Sequence, residues 1–263
     1  MSTATNETDG PAMPGVSRRA RRPRRRTTFF GVLGEILITV GVVTLLYVSW
    51  QLWIGDMIYG AERNAAGQQL TQQWEDDFLA RPKPATVPDT SPTADPIALP
   101  QPENSQVFGT MLIPRFGSDY NVSIAGGVTR EGTLDTIGIG HYPGTNMPGE
   151  VGNFALAAHR TTWGKPFNRI ADLHVGDAIV IETPDGWYTY RFRTLEYVTP
   201  DAVNVLLPVP QVTGAAADGR YMTMTSCSPM YAMSERIVAY SVFESFTPRA
   251  SGPPSSLTEG LTT

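Results

Sequence analysis

One cysteine occurs in the 263 residues, Cys227, near the end of the run Arg220-Tyr-Met-Thr-Met-Thr-Ser-Cys227-Ser-Pro229, and Arg236 follows nine positions on. A thiolate is a nucleophile, and a guanidinium is a strong donor to an oxyanion or carboxylate. Attack on an amide needs one more group, an acid for the leaving amine, and histidine is the usual choice. Three histidines are present: His141 in Gly-His-Tyr-Pro-Gly, His159 in Ala-Ala-His-Arg-Thr-Thr and His174 in Asp-Leu-His-Val-Gly-Asp. His174 sits in a polar turn and reads as a solvated loop residue. His159 ends the strand-like run Phe154–Ala158, where a side chain can project into a cleft. His141 lies in a Gly/Pro loop able to line the same cleft, so the residues alone keep both in play.

A lone free cysteine is more often a buried apolar residue than a nucleophile, and only its company shifts the balance. It cannot form an internal disulfide. One cysteine and three dispersed histidines lack metal-ligand spacing, and no glycine-rich phosphate loop is present. Neither a metal nor a cofactor is expected.

The elements that would position these groups are short strands. Arg220–Ser226 and Arg236–Phe243 are rich in β-branched and aromatic residues, with Pro229 and Ser234 between them. Alternation puts Cys227 on one face with Thr225 and Thr223, and Arg236 on one face with Val238 and Tyr240. If the two strands are neighbours, thiol and guanidinium converge at one end of a sheet. Further runs of this kind are Val107–Ile113, Tyr120–Ile124, Gly152–Ala158, Ala178–Glu182 and Trp187–Tyr197, with short helical patches at Arg130–Ile137 and Phe167–Leu173. Many short strands punctuated by glycine and proline indicate a mainly β domain, a sandwich or barrel, over 106–247. That length, about 140 residues, suffices for one core.

The preceding sequence is organised differently. Seven arginines between Arg18 and Arg26 stand against three acids in residues 1–54, while the rest of the chain carries 13 basic and 22 acidic residues. An acidic body argues against nucleic acid as its partner. Residues 29–54 are apolar apart from Glu35, Ser49 and Gln51, long enough to span a bilayer, with Trp50 and Trp53 as interface anchors at the far end. The arginine cluster assigns residues 1–28 to the cytoplasm as a basic tail and the rest to the outside. A cleaved signal peptide is the competing reading, disfavoured by the length of the run and the lack of a small-x-small site after it. Residues 55–80 read as a juxtamembrane helix, with Leu70, Trp74 and Phe78 on one face. Residues 81–105 read as a proline-rich spacer, and 248–263 as a disordered tail.

The motifs then take on a family likeness. Thr223-Met-Thr-Ser-Cys227 resembles the Thr-Leu-x-Thr-Cys signature of the sortases, cysteine transpeptidases of Gram-positive bacteria. Gly140-His-Tyr-Pro-Gly-Thr145, Pro148-Gly-Glu150, Ala158-His-Arg-Thr-Thr162, Gly164-Lys-Pro-Phe167 and Leu173-His-Val-Gly-Asp177 resemble the class E sortases of actinobacteria. The likeness covers about residues 106–246, and the departures in the cysteine motif are Met224 for Leu and Ser226 for Thr. It implies a single eight-stranded sortase-type β-barrel, with Cys227, His159 and Arg236 as the catalytic three. It implies cleavage of the Thr–Gly bond in a C-terminal sorting motif of a secreted protein. The thioacyl enzyme would then pass to an amine, from a lipid-linked peptidoglycan precursor or a pilin lysine. Class E members are similar in preferring Leu-Ala-x-Thr-Gly to Leu-Pro-x-Thr-Gly. Tyr142 is the candidate reader of that Ala, with His141 and Thr225 as further lining of the substrate groove.

Two other classes compete. One is a different envelope Cys-His enzyme, such as a cell-wall peptidase or an L,D-transpeptidase; the latter's Ser-His-Gly-Cys pattern is absent at Cys227. The other is a non-catalytic, membrane-tethered scaffold domain.

Overall fold

In the computed structural model, residues 28–50, 54–82 and 94–259 are described. The basic tail, Trp53, most of the first half of the spacer and the last four residues lie outside them.

The first element is the helix α1, Phe29–Ser49. It is 21 residues long, none of them buried, with a mean hydropathy of 2.2, which makes it long and apolar enough to cross a membrane. The rest of the expected span, to residue 54, runs through residues 51–53, which lie outside the described residues.

The second helix, α2 (Gly55–Ala80), lies on the β-domain. Its packing face recurs at helical spacing: Arg63 and Gly67 are buried, and Leu70, Thr71, Trp74 and Phe78 are half-buried. Gly67 is required there, because a Cβ would overlap the main chain of Asn121. The contact is partly polar: Asn64 Oδ1 accepts from Asn121 N at 3.3 Å, and Asn121 Nδ2 donates to Thr71 Oγ1 at 3.4 Å.

Eight strands follow: β1 Val107–Leu112, β2 Asn121–Gly126, β3 Ile139–His141, β4 Gly152–Ala158, β5 Ala178–Thr183, β6 Gly186–Val198, β7 Arg220–Ser228 and β8 Glu235–Pro248. They close into a barrel in the order β1-β2-β3-β4-β7-β8-β6-β5, so no strand edge is left open. All pairs are antiparallel except β2–β3 and β4–β7. The barrel is filled by one alternation of each strand, including Phe154 and Leu156 of β4, Tyr188 and Tyr190 of β6, Met222 and Met224 of β7, and Ile237 and Ala239 of β8. Seven of the eight strands coincide with the apolar runs; β3 is three residues long in the Gly-rich segment Ile137-Gly-Ile-Gly-His141, too short to show periodicity.

Two expectations from composition are corrected. The second half of the spacer does not stand off: Ala94 and Leu99 pack against the core, Ile97 O accepts from Tyr188 Oη at 2.7 Å, and Asn104 bridges Gly126. The tail is ordered through residue 259, with helical turns at Arg249–Ser251 and Ser255–Thr258. Arg249 is buried, donating to Glu182 Oε1 at 2.8 Å and to Glu75 Oε2 of α2 at 3.1 Å while lying over the Trp187 ring. Sequence composition misleads in both segments because a few buried anchors hold stretches that are otherwise Pro-, Ser- and Thr-rich.

Candidate active site

Strand register brings the reactive groups together. β4 and β7 run parallel with Ala157 level with Thr225, so continuing both strands by two residues sets His159 level with Cys227. β7 and β8 run antiparallel with Cys227 directly opposite Arg236. Three adjacent strands of the barrel thus deliver an imidazole, a thiol and a guanidinium to one end. The barrel core takes Met222, Met224, Ile237 and Ala239, so the opposite alternation, Thr225 and Cys227 with Arg236 and Val238, faces outward. The outer face is hollowed there into a groove of about 570 Å³, whose lining includes Tyr142, His159, Thr225, Cys227, Tyr231 and Arg236.

Local bonds hold the groove's shape. Ser226 Oγ donates to Ala158 O at 2.7 Å, locking the strand end beside Cys227 to the one beside His159. The loop after His159 is pinned by Phe167 N donating to His159 O at 3.0 Å and Asn168 Nδ2 donating to Arg160 O at 2.9 Å. Arg160 is buried, and its Nη1 approaches Cys227 O at 3.4 Å. Tyr142 Oη and Thr225 Oγ1 share a hydrogen bond of 3.0 Å on the groove wall, and Thr225 Oγ1 also donates to Leu156 O at 3.2 Å.

Cys227 is a free, half-buried thiol. Arg236 Nη1 donates to two carbonyls of its own loop, Met233 O at 3.1 Å and Glu235 O at 2.9 Å. Among the described residues it makes no ion pair. Its charge therefore has no carboxylate partner among these residues, and it lines the same groove as the thiol. The His159 side chain is 14% exposed and bonds Asp135 Oδ1 through Nε2 at 2.6 Å. Asp135 and Arg160 are the neighbours that sequence reasoning missed: Arg160 stands in the quoted Ala-His-Arg block, whereas Asp135 carries no linear signal linking it to His159.

His141 does not line the groove. It follows Ile139 on the inward alternation of β3, is 1% exposed, and stacks on Phe154 with ring centroids 5.3 Å apart. Its Nε2 meets Asn146 O and Thr145 Oγ1, each at 3.0 Å, so it ties down the loop that presents Tyr142. Burial holds its pKa below the ordinary histidine value, which keeps it a neutral structural group near neutral pH. His174 is exposed in a turn before β5, as expected.

Comparison with known proteins now decides the family. The Sortase domain model matches residues 111–244, most of the barrel and all of the groove's thiol, imidazole and guanidinium. The chain belongs to the sortase family. Sortase SrtE1 of Streptomyces coelicolor is 35% identical over 245 residues, covering 91% of this chain and 64% of that protein, so the chain spans just under two thirds of this relative's length. The crystal structure of Sortase E1 from the same organism, which holds a tripeptide in its active site, superposes with a TM-score of 0.55 at 36% identity, over 58% of this chain and 97% of that one. The SrtA sortase from Actinomyces oris superposes with a TM-score of 0.59 at 33% identity, over 62% of this chain and 94% of that one. The two Streptomyces matches agree with the class E likeness of the motifs.

Proposed function

We propose that this sortase-family chain is a membrane-anchored cysteine transpeptidase that cleaves the Thr–Gly bond of a C-terminal Leu-Ala-x-Thr-Gly-type sorting motif. The observation that carries the reading is that Cys227, paired directly with Arg236, and His159, one residue past the end of β4, line one groove.

Cys227 gives its proton to His159 and attacks the threonine carbonyl carbon as the thiolate. Arg236, which makes no ion pair among the described residues, donates to the developing oxyanion and to the motif's main chain. Collapse of the tetrahedral intermediate breaks the C–N bond, and His159 returns the proton to the departing glycine amine. The threonine carbonyl is now a thioester on Cys227. An incoming amine, from a lipid-linked cell-wall peptide or a pilin lysine, loses its proton to His159 and attacks that thioester, forming a new amide and freeing the thiol. Tyr142 and Thr225 form the wall that meets the residue after leucine.

With α1 in the membrane, the N-terminal arginines in the cytoplasm and the barrel outside, enzyme, lipid-linked acceptor and secreted substrate share one surface, which raises their effective concentration.

The test is hydroxylamine-dependent cleavage of Leu-Ala-x-Thr-Gly and Leu-Pro-x-Thr-Gly peptides by the full chain in detergent. Cleavage at Thr–Gly is expected, faster for the Ala peptide, and lost in both Cys227→Ala and His159→Ala. Cleavage of stem peptides instead would make the protein a different envelope peptidase. Inertness to all peptides, with Cys227 unreactive to alkylation, would make it a scaffold.

A further inference from the structure

Behind His159 lies a second layer that the Cys-His-Arg mechanism does not use. Asp135 ends a single wide helical turn, Arg130–Leu134, whose i→i+5 bonds include Asp135 N to Arg130 O at 2.8 Å. Such turns are uncommon and recur at functional sites. This one sets the Asp135 carboxylate 2.6 Å from His159 Nε2, with both side chains 14% exposed. The exposed Arg130 approaches the other carboxylate oxygen at 3.6 Å.

From the opposite side comes α2. Arg63 is buried, and its Nη2 donates to the main-chain oxygen of Asp135 at 2.7 Å. Its side chain runs between Gly138 and Gly164, where an added Cβ would stand 2.9 Å from its Nη1 and 2.8 Å from its Cδ. One turn earlier, the Tyr59 ring meets the Trp163 ring at 5.9 Å. Thus α2 touches the segment that carries Asp135 and also the loop that leaves His159. Arg63 Nε and Nη1 are buried without a hydrogen-bond partner. A buried guanidinium spending one bond on a neutral carbonyl is a costly structural contact; bracing the histidine's partner gives that placement a use.

We propose that Asp135 is a positioning residue for His159, and that Arg63 of α2 fixes Asp135 in that role. This rests on His159 being the acid and base of the proposed reaction. An ionised carboxylate only accepts hydrogen bonds, so His159 carries its proton on Nε2 and turns the Nδ1 lone pair to the groove. The same carboxylate stabilises the imidazolium formed when Cys227 gives up its proton. The charged groups around the pair are Arg130 on the helical turn, Arg63 on α2 and the buried Arg160 next to His159, with Arg236 on β8 among the groove's lining. A helix lying next after α1 in the chain would then bear on the reactivity of the groove.

The experiment uses the full chain in detergent, labelled with ¹⁵N-histidine. Wild type is compared with Asp135→Asn, Asp135→Glu and Arg63→Met, each checked by thermal melting. Three readouts are taken: hydroxylamine-dependent cleavage, Cys227 alkylation and the His159 ring ¹⁵N shifts. Wild type is expected to show the Nε2–H tautomer of neutral His159. Asp135→Asn should lose about 100-fold in kcat with little change in KM, and Asp135→Glu should recover most of it. Arg63→Met should lower kcat in the same direction. An Nδ1–H tautomer in wild type would overturn the proposal without any variant. So would an Asp135→Asn enzyme with unchanged kcat and ring shifts, or an Asp135→Glu enzyme no better than Asp135→Asn. Unchanged kcat in a folded Arg63→Met protein would remove α2 from the mechanism. If wild type cleaves no sorting peptide, the transpeptidase reading fails by itself, and the change in ring shifts between wild type and Asp135→Asn still decides whether Asp135 orients His159.

Discussion

Tyr142 and Thr225 couple the loop after β3 to strand β7 on the groove wall through one hydrogen bond of 3.0 Å. Tyr142→Phe removes that bond and keeps the ring, so stability should fall by about 1 kcal/mol or less. Peptide recognition should suffer more: KM for the Leu-Ala-x-Thr-Gly peptide is expected to rise about fivefold at nearly constant kcat, the equivalent of about 1 kcal/mol of uniform binding. An unchanged KM would take Tyr142 out of substrate recognition. The contrast between His159 and His141 shows what linear reading resolves at this scale. His159 follows a seven-residue strand, Gly152–Ala158, whose end is visible in the sequence. His141 belongs to a three-residue strand, and with no periodicity to count, its inward orientation beside Ile139 cannot be read. Asp135 was hidden for a different reason: its partner is 24 positions away and reached only through a folded turn.

Secondary elements outside the barrel carry more of the architecture than their composition suggests. The C-terminal turn from Arg249 closes over β5 and β6 through Glu182, whose pKa is raised by burial and drawn back down by Arg249. Glu182 thus carries a folded-state pKa above its unfolded one, so its contribution favours the fold at low pH and is lost as pH rises through that value. Removing the guanidinium leaves the charge uncompensated once the carboxyl ionises. Arg249→Met should therefore cost about 3 kcal/mol at neutral pH, and the gap to wild type should narrow as pH falls toward about 4, where carboxylates protonate. Thermal melts at both pH values measure it; a pH-independent gap would mean that Arg249 acts through its bonds to the Thr183 and Pro184 carbonyls and its packing on Trp187, not through its pairing with Glu182. The α2 helix was legible as a helix and as a packing face, because Leu70, Trp74 and Phe78 recur at helical spacing. That Arg63 and Gly67 would be its most buried residues was not, since burial of an arginine depends on the Asp135 carbonyl it meets.

Over the whole molecule, a closed eight-stranded barrel has no free strand edge, and the proposed chemistry is concentrated where β4 and β7 end and β8 begins. The parallel β4–β7 pair matters most, since it carries His159, one residue past β4, to the end of the barrel where Cys227 stands, 68 positions on in the sequence. Strand runs and motifs in the sequence were enough to anticipate a mainly β domain with these residues at strand ends. The pairing order that makes them meet is long-range and became visible only in the folded chain. The central claim, that Cys227 forms a thioester with the sorting motif, is open to direct observation. The full chain in detergent would be mixed with excess Leu-Ala-x-Thr-Gly peptide without added amine, quenched in acid and analysed by intact and peptide-level mass spectrometry. The expected result is an adduct on the Cys227 peptide with the mass of the fragment ending in threonine less one water, discharged by hydroxylamine and absent from Cys227→Ala. No adduct under conditions where the peptide is cleaved, or an adduct that persists in Cys227→Ala, would contradict it.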